Sequence, residues 1–264
     1  MKFNKVYLLG DGTLDNSKTA IEKKYVLSKI LEKKGMEVVS LCKEGTCLVS
    51  LIKGIEKHGK KVVPLNMIQS DGSSSMRSCY GESELSFPST TSSFSSFSSP
   101  STTSSTPVST YSVICVGGED IKKKIPTLIL GKDNFFSSLI SKDYLAFYSK
   151  FVHDVVKKTP KTILISLYSP YSVKNFYQKY DSLIGELETR WMTMLCNFGK
   201  KYDIPVINLF KTFPKTHKRY FMDDNVHLSD LSMDMLAKMI SHIMKNYHGY
   251  SIYYMDEQFH VKRY

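Results

Sequence analysis

The chain has 264 residues, 42% of them hydrophobic and 23% charged, close to the globular average, which excludes a wholly disordered chain. Lysine and arginine outnumber aspartate and glutamate by 36 to 25, a net charge of +11, but neither a zinc-finger spacing nor an RNP-like aromatic strand accompanies the excess. The charge therefore predicts generic attraction to anions and no specific nucleic-acid binding.

At roughly 150 residues per domain, the length fits one large α/β domain or two small ones. KVYLLG, residues 5–10, is a short apolar run closed by glycine, the pattern of a buried parallel strand. Apolar residues Ile21, Val26, Ile30 and Leu31 recur at helical spacing and predict a helix over Lys18 to Lys34, stopped by Gly35. EVVSLC is a second strand, and Leu48 to Lys57 a short helix. From Gly72 to Thr110 the composition changes to Ser and Thr with scattered Phe and Pro, which predicts a disordered insertion. YSVICVGG is a third strand and TILISLYSP a fourth, ended by Pro170. A long helix is expected over Val173 to Tyr202, then a fifth strand in IPVINLF, then a helix over Leu231 to Tyr247 with Ser229 or Asp230 as its N-cap. Residues 248–264 form an aromatic and basic tail, expected either to fold back as an edge strand or to present an adhesive surface.

This alternation predicts a three-layer α/β/α domain over residues 1–247, built on a doubly wound, mostly parallel, five-stranded sheet. No segment offers the roughly 20 uncharged apolar residues of a membrane span. The opening MKFNKVYLLGDG has neither a signal h-region nor an Arg-rich transit pattern, so the expected location is the cytoplasm. Cys42, Cys47, Cys79, Cys115 and Cys196 contain no CxxC pair, which predicts reduced thiols and neither a metal centre nor a redox motif.

Ligands of such sheets sit beyond the carboxyl ends of the strands. Polar, glycine-containing turns occur there: Gly10-Asp11-Gly12-Thr13 after strand one, Glu44-Gly45-Thr46 after strand two, and Gly117-Gly118-Glu119-Asp120 after strand three. Asp223-Asp224-Asn225-Val226-His227 precedes the last helix. The first turn fails as a dinucleotide fingerprint, because Asp15 stands at the third glycine position and would oppose a pyrophosphate; no cofactor is expected. Asp11-Gly12-Thr13-Leu14 looks like the DxDGT signature of haloacid-dehalogenase-type phosphatases, but the nucleophile position is Leu9.

All four turns in this order resemble the SGNH (GDSL-like) hydrolase family, whose blocks are GDS, a glycine, GxND and DxxH. They stand here as Gly10-Asp11-Gly12, Gly45, Gly117-Gly118-Glu119-Asp120 and Asp224-Asn225-Val226-His227. The resemblance implies that Asp224 orients His227 as general base and that the Gly45 N–H can donate to an oxyanion. It also implies two losses: the nucleophile position is Gly12, and the oxyanion asparagine position is Glu119. Removing the serine of a well-dissected triad costs about a millionfold, and losing an oxyanion donor roughly 10²–10³. The resemblance therefore predicts a degenerate member, a binding or scaffold module with a vestigial cleft open to a small ligand. A protein partner is expected at the tail or the insertion. The alternative is an ester or acyl hydrolase using Thr13, or water activated by Asp224–His227. Asp11 is expected to hold the first turn through backbone N–H groups.

Overall fold

The computed structural model describes residues 4–52, 109–121, 141–170 and 181–264, with the side chains of 181–184 excepted. These lie within one compact unit, Met1–Ile68 together with Val108–Tyr264; a second unit, Gln69–Pro107, holds nearly all of the Ser/Thr-rich segment and lies outside the described residues.

The unit is an α/β structure on one sheet in which β1 (Asn4–Gly10), β2 (Met36–Ser40), β3 (Thr110–Cys115), β4 (Thr162–Ile165), β5 (Val206–Ile207), β6 (Ile252–Met255) and β7 (Val261–Arg263) are ordered β2-β1-β3-β4-β5-β6-β7. Pairing is parallel from β2 through β6, and β7 closes the edge antiparallel to β6. Register runs Val6 to Val38 on one side and Val6 to Tyr111 on the other. Consecutive residues are buried in the central strands (Val6, Tyr7, Leu8 and Leu9 in β1, all of β4), so helices cover both faces of the sheet.

The helices are α1 (Leu27–Lys33), α2 (Lys142–Lys158), α3 (Asp181–Tyr202), α4 (Leu209–Thr212) and α5 (Asp230–Lys245). α1 packs on β2 and α5, and α2 packs on α3. In α5, Met233, Leu236, Ala237, Ile240, Ile243 and Met244 repeat at helical spacing on the buried face. Ser229 caps this helix by accepting from the Ser232 N–H. No helix among the described residues is long and apolar enough to cross a membrane.

The sheet has two strands more than the five expected, and both come from the tail. Tyr253 and Met255 alternate with half-buried neighbours along β6, so every second side chain enters the core. Gly199 of α3 leaves room for this segment: a Cβ there would lie 2.6 Å from the Tyr250 ring. Lys211 then sits over the rings of Tyr254 and Tyr264, 3.7 and 4.8 Å from their centroids.

Three further boundaries differ from expectation. The first helix does not span Lys18 to Lys34; only Leu27–Lys33 is α-helical, after a 3-10 turn at Lys23–Tyr25. Asn16 causes the shortening. Its buried side chain donates to the Tyr25 carbonyl and accepts from the Leu27 N–H, both at 2.9 Å, which closes residues 16–27 as a loop. Helix α2, absent from the expected elements, buries Tyr148, Phe151, Val152 and Val155 and is capped by Ser141. Thr110, assigned by composition to the insertion, already opens β3, and the carbonyl of Ser109 before it accepts from the Lys5 N–H.

Candidate active site

The expected residues converge at the carboxyl ends of β1, β2 and β3. Gly10 ends β1 where the backbone of β3 passes so close that a Cβ would stand 2.1 Å from the Cys115 carbonyl oxygen. The chain then turns through Asp11, which is buried. Asp11 Oδ1 accepts from the Thr13 N–H and Oδ2 from the Gly118 N–H, both at 3.0 Å. One carboxylate thus bolts the β1 turn to the β3 turn, the backbone role expected of it. Burial pushes its pKa up; the bonds from Thr13 and Gly118 pull it down, and the Glu119 charge adds to the rise.

Gly12 carries no side chain into the cleft, yet the space for one exists. A Cβ there would lie 3.4 Å from Glu44 Cγ, an ordinary contact, and its φ is not in the left-handed region. Thr13 is buried, and its N–H donates to Asp11 Oδ1.

After β2 the chain runs on beside β1, with the Leu41 N–H donating to the Leu8 carbonyl and the Lys43 N–H to the Gly10 carbonyl. A β-turn follows, Lys43 to Thr46, closed by a 3.1 Å bond from the Thr46 N–H to the Lys43 carbonyl. Its third residue, Gly45, has φ +79, the left-handed conformation that favours glycine. The Gly45 N–H donates to no backbone carbonyl among the described residues. The turn is tied to β3 by Asp120, whose Oδ2 accepts from the Leu48 N–H at 3.0 Å.

Gly117 has φ +121, and a Cβ on it would stand 2.3 Å from Trp191 Cη2. The indole of α3 therefore packs directly on the peptide that leads into the site. Residues 118–121 form a helical turn carrying Glu119, whose charge is felt at Asp11 and at Tyr168. Tyr168, just after β4, was not among the expected site residues. Burial pushes its hydroxyl well above the usual phenol range, and the charges of Asp11, Asp224 and Glu119 act in the same direction. It lies against Phe221, at 6.2 Å between ring centroids.

The last block is a loop held at its base by the Phe221–Leu228 bridge and by the Met222 N–H donating to the His227 carbonyl. Asn225 adopts φ +61 at its tip, and Lys218 donates to both the Met222 carbonyl and Asn225 Oδ1. Asp224 divides its oxygens. Oδ1 accepts from the Val226 and His227 N–H groups at 2.9 Å each, and Oδ2 meets His227 Nδ1. Burial works to raise the Asp224 pKa, but the His227 bond and the two backbone bonds outweigh it and set it at about 2. Asp224 thus fixes the loop and orients the imidazole at once.

His227 Nε2 is buried and has no hydrogen-bond partner among the described residues; the carboxylate of Glu44 stands 3.6 Å away. Glu44 Oε2 in turn meets Lys18 Nζ at 3.3 Å. Glu44 lay inside a turn picked out from the sequence but was not itself singled out, since only the fold brings position 44 against position 227. Among the described residues, no group of three or more His, Cys, Asp or Glu side chains could hold a metal ion.

No protein-family model and no curated protein sequence matches the chain. Its structure is similar to that of a lipase/acylhydrolase from Enterococcus faecalis, at 15% identity and TM-score 0.51, covering 92% of this chain and 96% of that one. It is also similar to the acetyl xylan esterase AlAXEase, at 16% identity and TM-score 0.53 over 90% and 99% of the two chains. The psychrotrophic esterase EstA from Pseudoalteromonas sp. aligns at 11% identity and TM-score 0.52 over 92% and 98%. The chain therefore has the SGNH-hydrolase-like fold implied by the order of its turns. At these identities the likeness is one of fold.

Proposed function

We propose that this chain is a catalytically silent SGNH-hydrolase-like protein that works as a binding or scaffold module. One observation carries the proposal: residue 12, at the place of the attacking serine, is glycine, while the adjacent Thr13 is buried. An oriented base with no hydroxyl to deprotonate supplies no covalent step. Glu119, at the place of the oxyanion asparagine, adds negative charge where a donor would be needed. What is retained is a cleft lined by Gly12, Gly45, Glu119 and His227, which could hold a small ligand. Partner contacts would fall on surfaces outside it, including the sheet edge at β7 and the Ser/Thr-rich segment.

The second reading, a hydrolase of esters or acyl groups, is favoured by the preserved Asp224–His227 pair, which could act on water. Hydrolysis of short-chain p-nitrophenyl esters by the wild type and by His227→Ala separates the two. The expected result is no turnover above buffer for either protein. Wild-type turnover abolished by His227→Ala would establish the hydrolase instead, and turnover lost on Thr13→Ala would identify the nucleophile.

A further inference from the structure

In a working triad the Nε2 atom of the histidine accepts the proton of the nucleophile. Here Nε2 is covered, its nearest charged neighbour being Glu44 Oε1 at 3.6 Å. The Glu44 stem runs along the vacant side of residue 12, with Cγ at contact distance from the position of a Cβ on Gly12. The Lys43–Thr46 turn holds that stem in place, since the Lys43 N–H bonds to the Gly10 carbonyl and Gly45 makes the turn.

We propose that Glu44 has taken the place of the missing serine as the partner of His227 Nε2, and that the ring is held as an imidazolium between Asp224 and Glu44. The proton count dictates the second half of this statement. A serine hydroxyl donates to Nε2, whereas a carboxylate only accepts, so it favours a ring that carries a proton on Nε2. Asp224 requires a proton on Nδ1 in the same way. A ring protonated on both nitrogens cannot accept another, so the base function is closed. The charged groups facing the ring are Asp224 from its own loop and Glu44 from the turn after β2. Lys18 meets the other oxygen of Glu44 and moderates its pull, and Tyr168 is the nearby phenol that senses Asp224. Glu44 acts through His227, as a positioning residue. The inference deepens the silent-module proposal and rests on it only in that residue 12 offers no hydroxyl.

The test is the ring NMR of His227 in the full chain as wild type, Glu44→Gln, Glu44→Asp and Lys18→Ala. At neutral pH the wild-type ring nitrogen shifts should show both nitrogens protonated. Glu44→Gln should return Nε2 to the unprotonated state, whereas Glu44→Asp and Lys18→Ala should keep both nitrogens protonated. A neutral wild-type ring with its lone pair on Nε2, or ring shifts unmoved by Glu44→Gln, overturns the proposal. Glu44 is partly exposed, and a thermal melt confirms that each variant is folded. Ester turnover on the same samples reports separately. Wild-type turnover with the doubly protonated ring intact defeats the silent-module reading and leaves the pairing standing. No turnover with ring shifts unmoved by Glu44→Gln defeats only the pairing.

Discussion

Two aspartates of the candidate site do opposite kinds of work. Asp11 is 2% exposed, and both of its oxygens are spent on backbone N–H groups of two different strand ends. The Asp224 side chain is 45% exposed, and it shares its oxygens between its own loop and His227. Around Asp11, glycines at 10 and 117 are imposed by backbone and indole atoms that leave no room for a Cβ. Around Asp224, a side chain at residue 12 would find ordinary contact, while Gly45 is kept by its left-handed backbone. One half of the site is thus closed to side chains at its glycines, and the other leaves room at residue 12.

The largest effect should come from the bolted half. Asp11→Ala strands two N–H donors away from water, at about 1–3 kcal/mol each, and should lower the urea-unfolding stability by about 3–4 kcal/mol. Gly117→Ala should follow, at about 3 kcal/mol, because its Cβ strikes Trp191 and its backbone disfavours any side chain. If either variant melts like the wild type, the division into two halves fails.

The two carboxylates should also titrate with opposite sign. The Asp224 pKa is lowered from 3.8 to about 2, so its contribution is full above 3.8 and is lost as the pH falls through about 2. Discounted for solvent screening, this amounts to about 1 kcal/mol. Asp224→Asn should remove that acid-side slope from a series of denaturation curves. The Asp11 pKa is raised above 3.8, so its contribution is full below 3.8 and is lost as the pH rises through the folded value. Asp11→Asn should erase that trend, and an acid slope that survives Asp224→Asn would place the titrating group elsewhere.

The smallest effect is expected at Gly12. The serine of Gly12→Ser finds ordinary contact with Glu44 and should change stability by no more than about 0.5 kcal/mol. With Glu44 facing Nε2, this variant alone should remain inactive on p-nitrophenyl esters. A destabilised Gly12→Ser would show that the open half is also structurally constrained.

Local pattern was enough for much of the molecule. The apolar runs at residues 5–10, 110–115 and 162–165 became central strands because no other placement covers both of their faces. Helix α2 was missed, although its buried residues Tyr148, Phe151, Val152 and Val155 recur at helical spacing. Asp224 and His227 stand three residues apart in one loop, so their pairing follows from local geometry, as does the N-cap at Ser229. Elsewhere, long-range bonds overrode the pattern. Asn16 bonds across to Tyr25 and Leu27 and cuts short a helix that spacing alone would have extended.

The amino-acid sequence by itself determined the strand–helix alternation, the polar turns at the strand ends and the absence of a hydroxyl at residue 12, all of which depend on residue identity and near neighbours. Only the tertiary structure decided that the tail completes the sheet, that Asp11 joins β1 to β3, and that Glu44 confronts His227. Those contacts exist because parallel pairing brings distant strand ends to one edge, and a residue's partner there is set by the packing of the whole sheet.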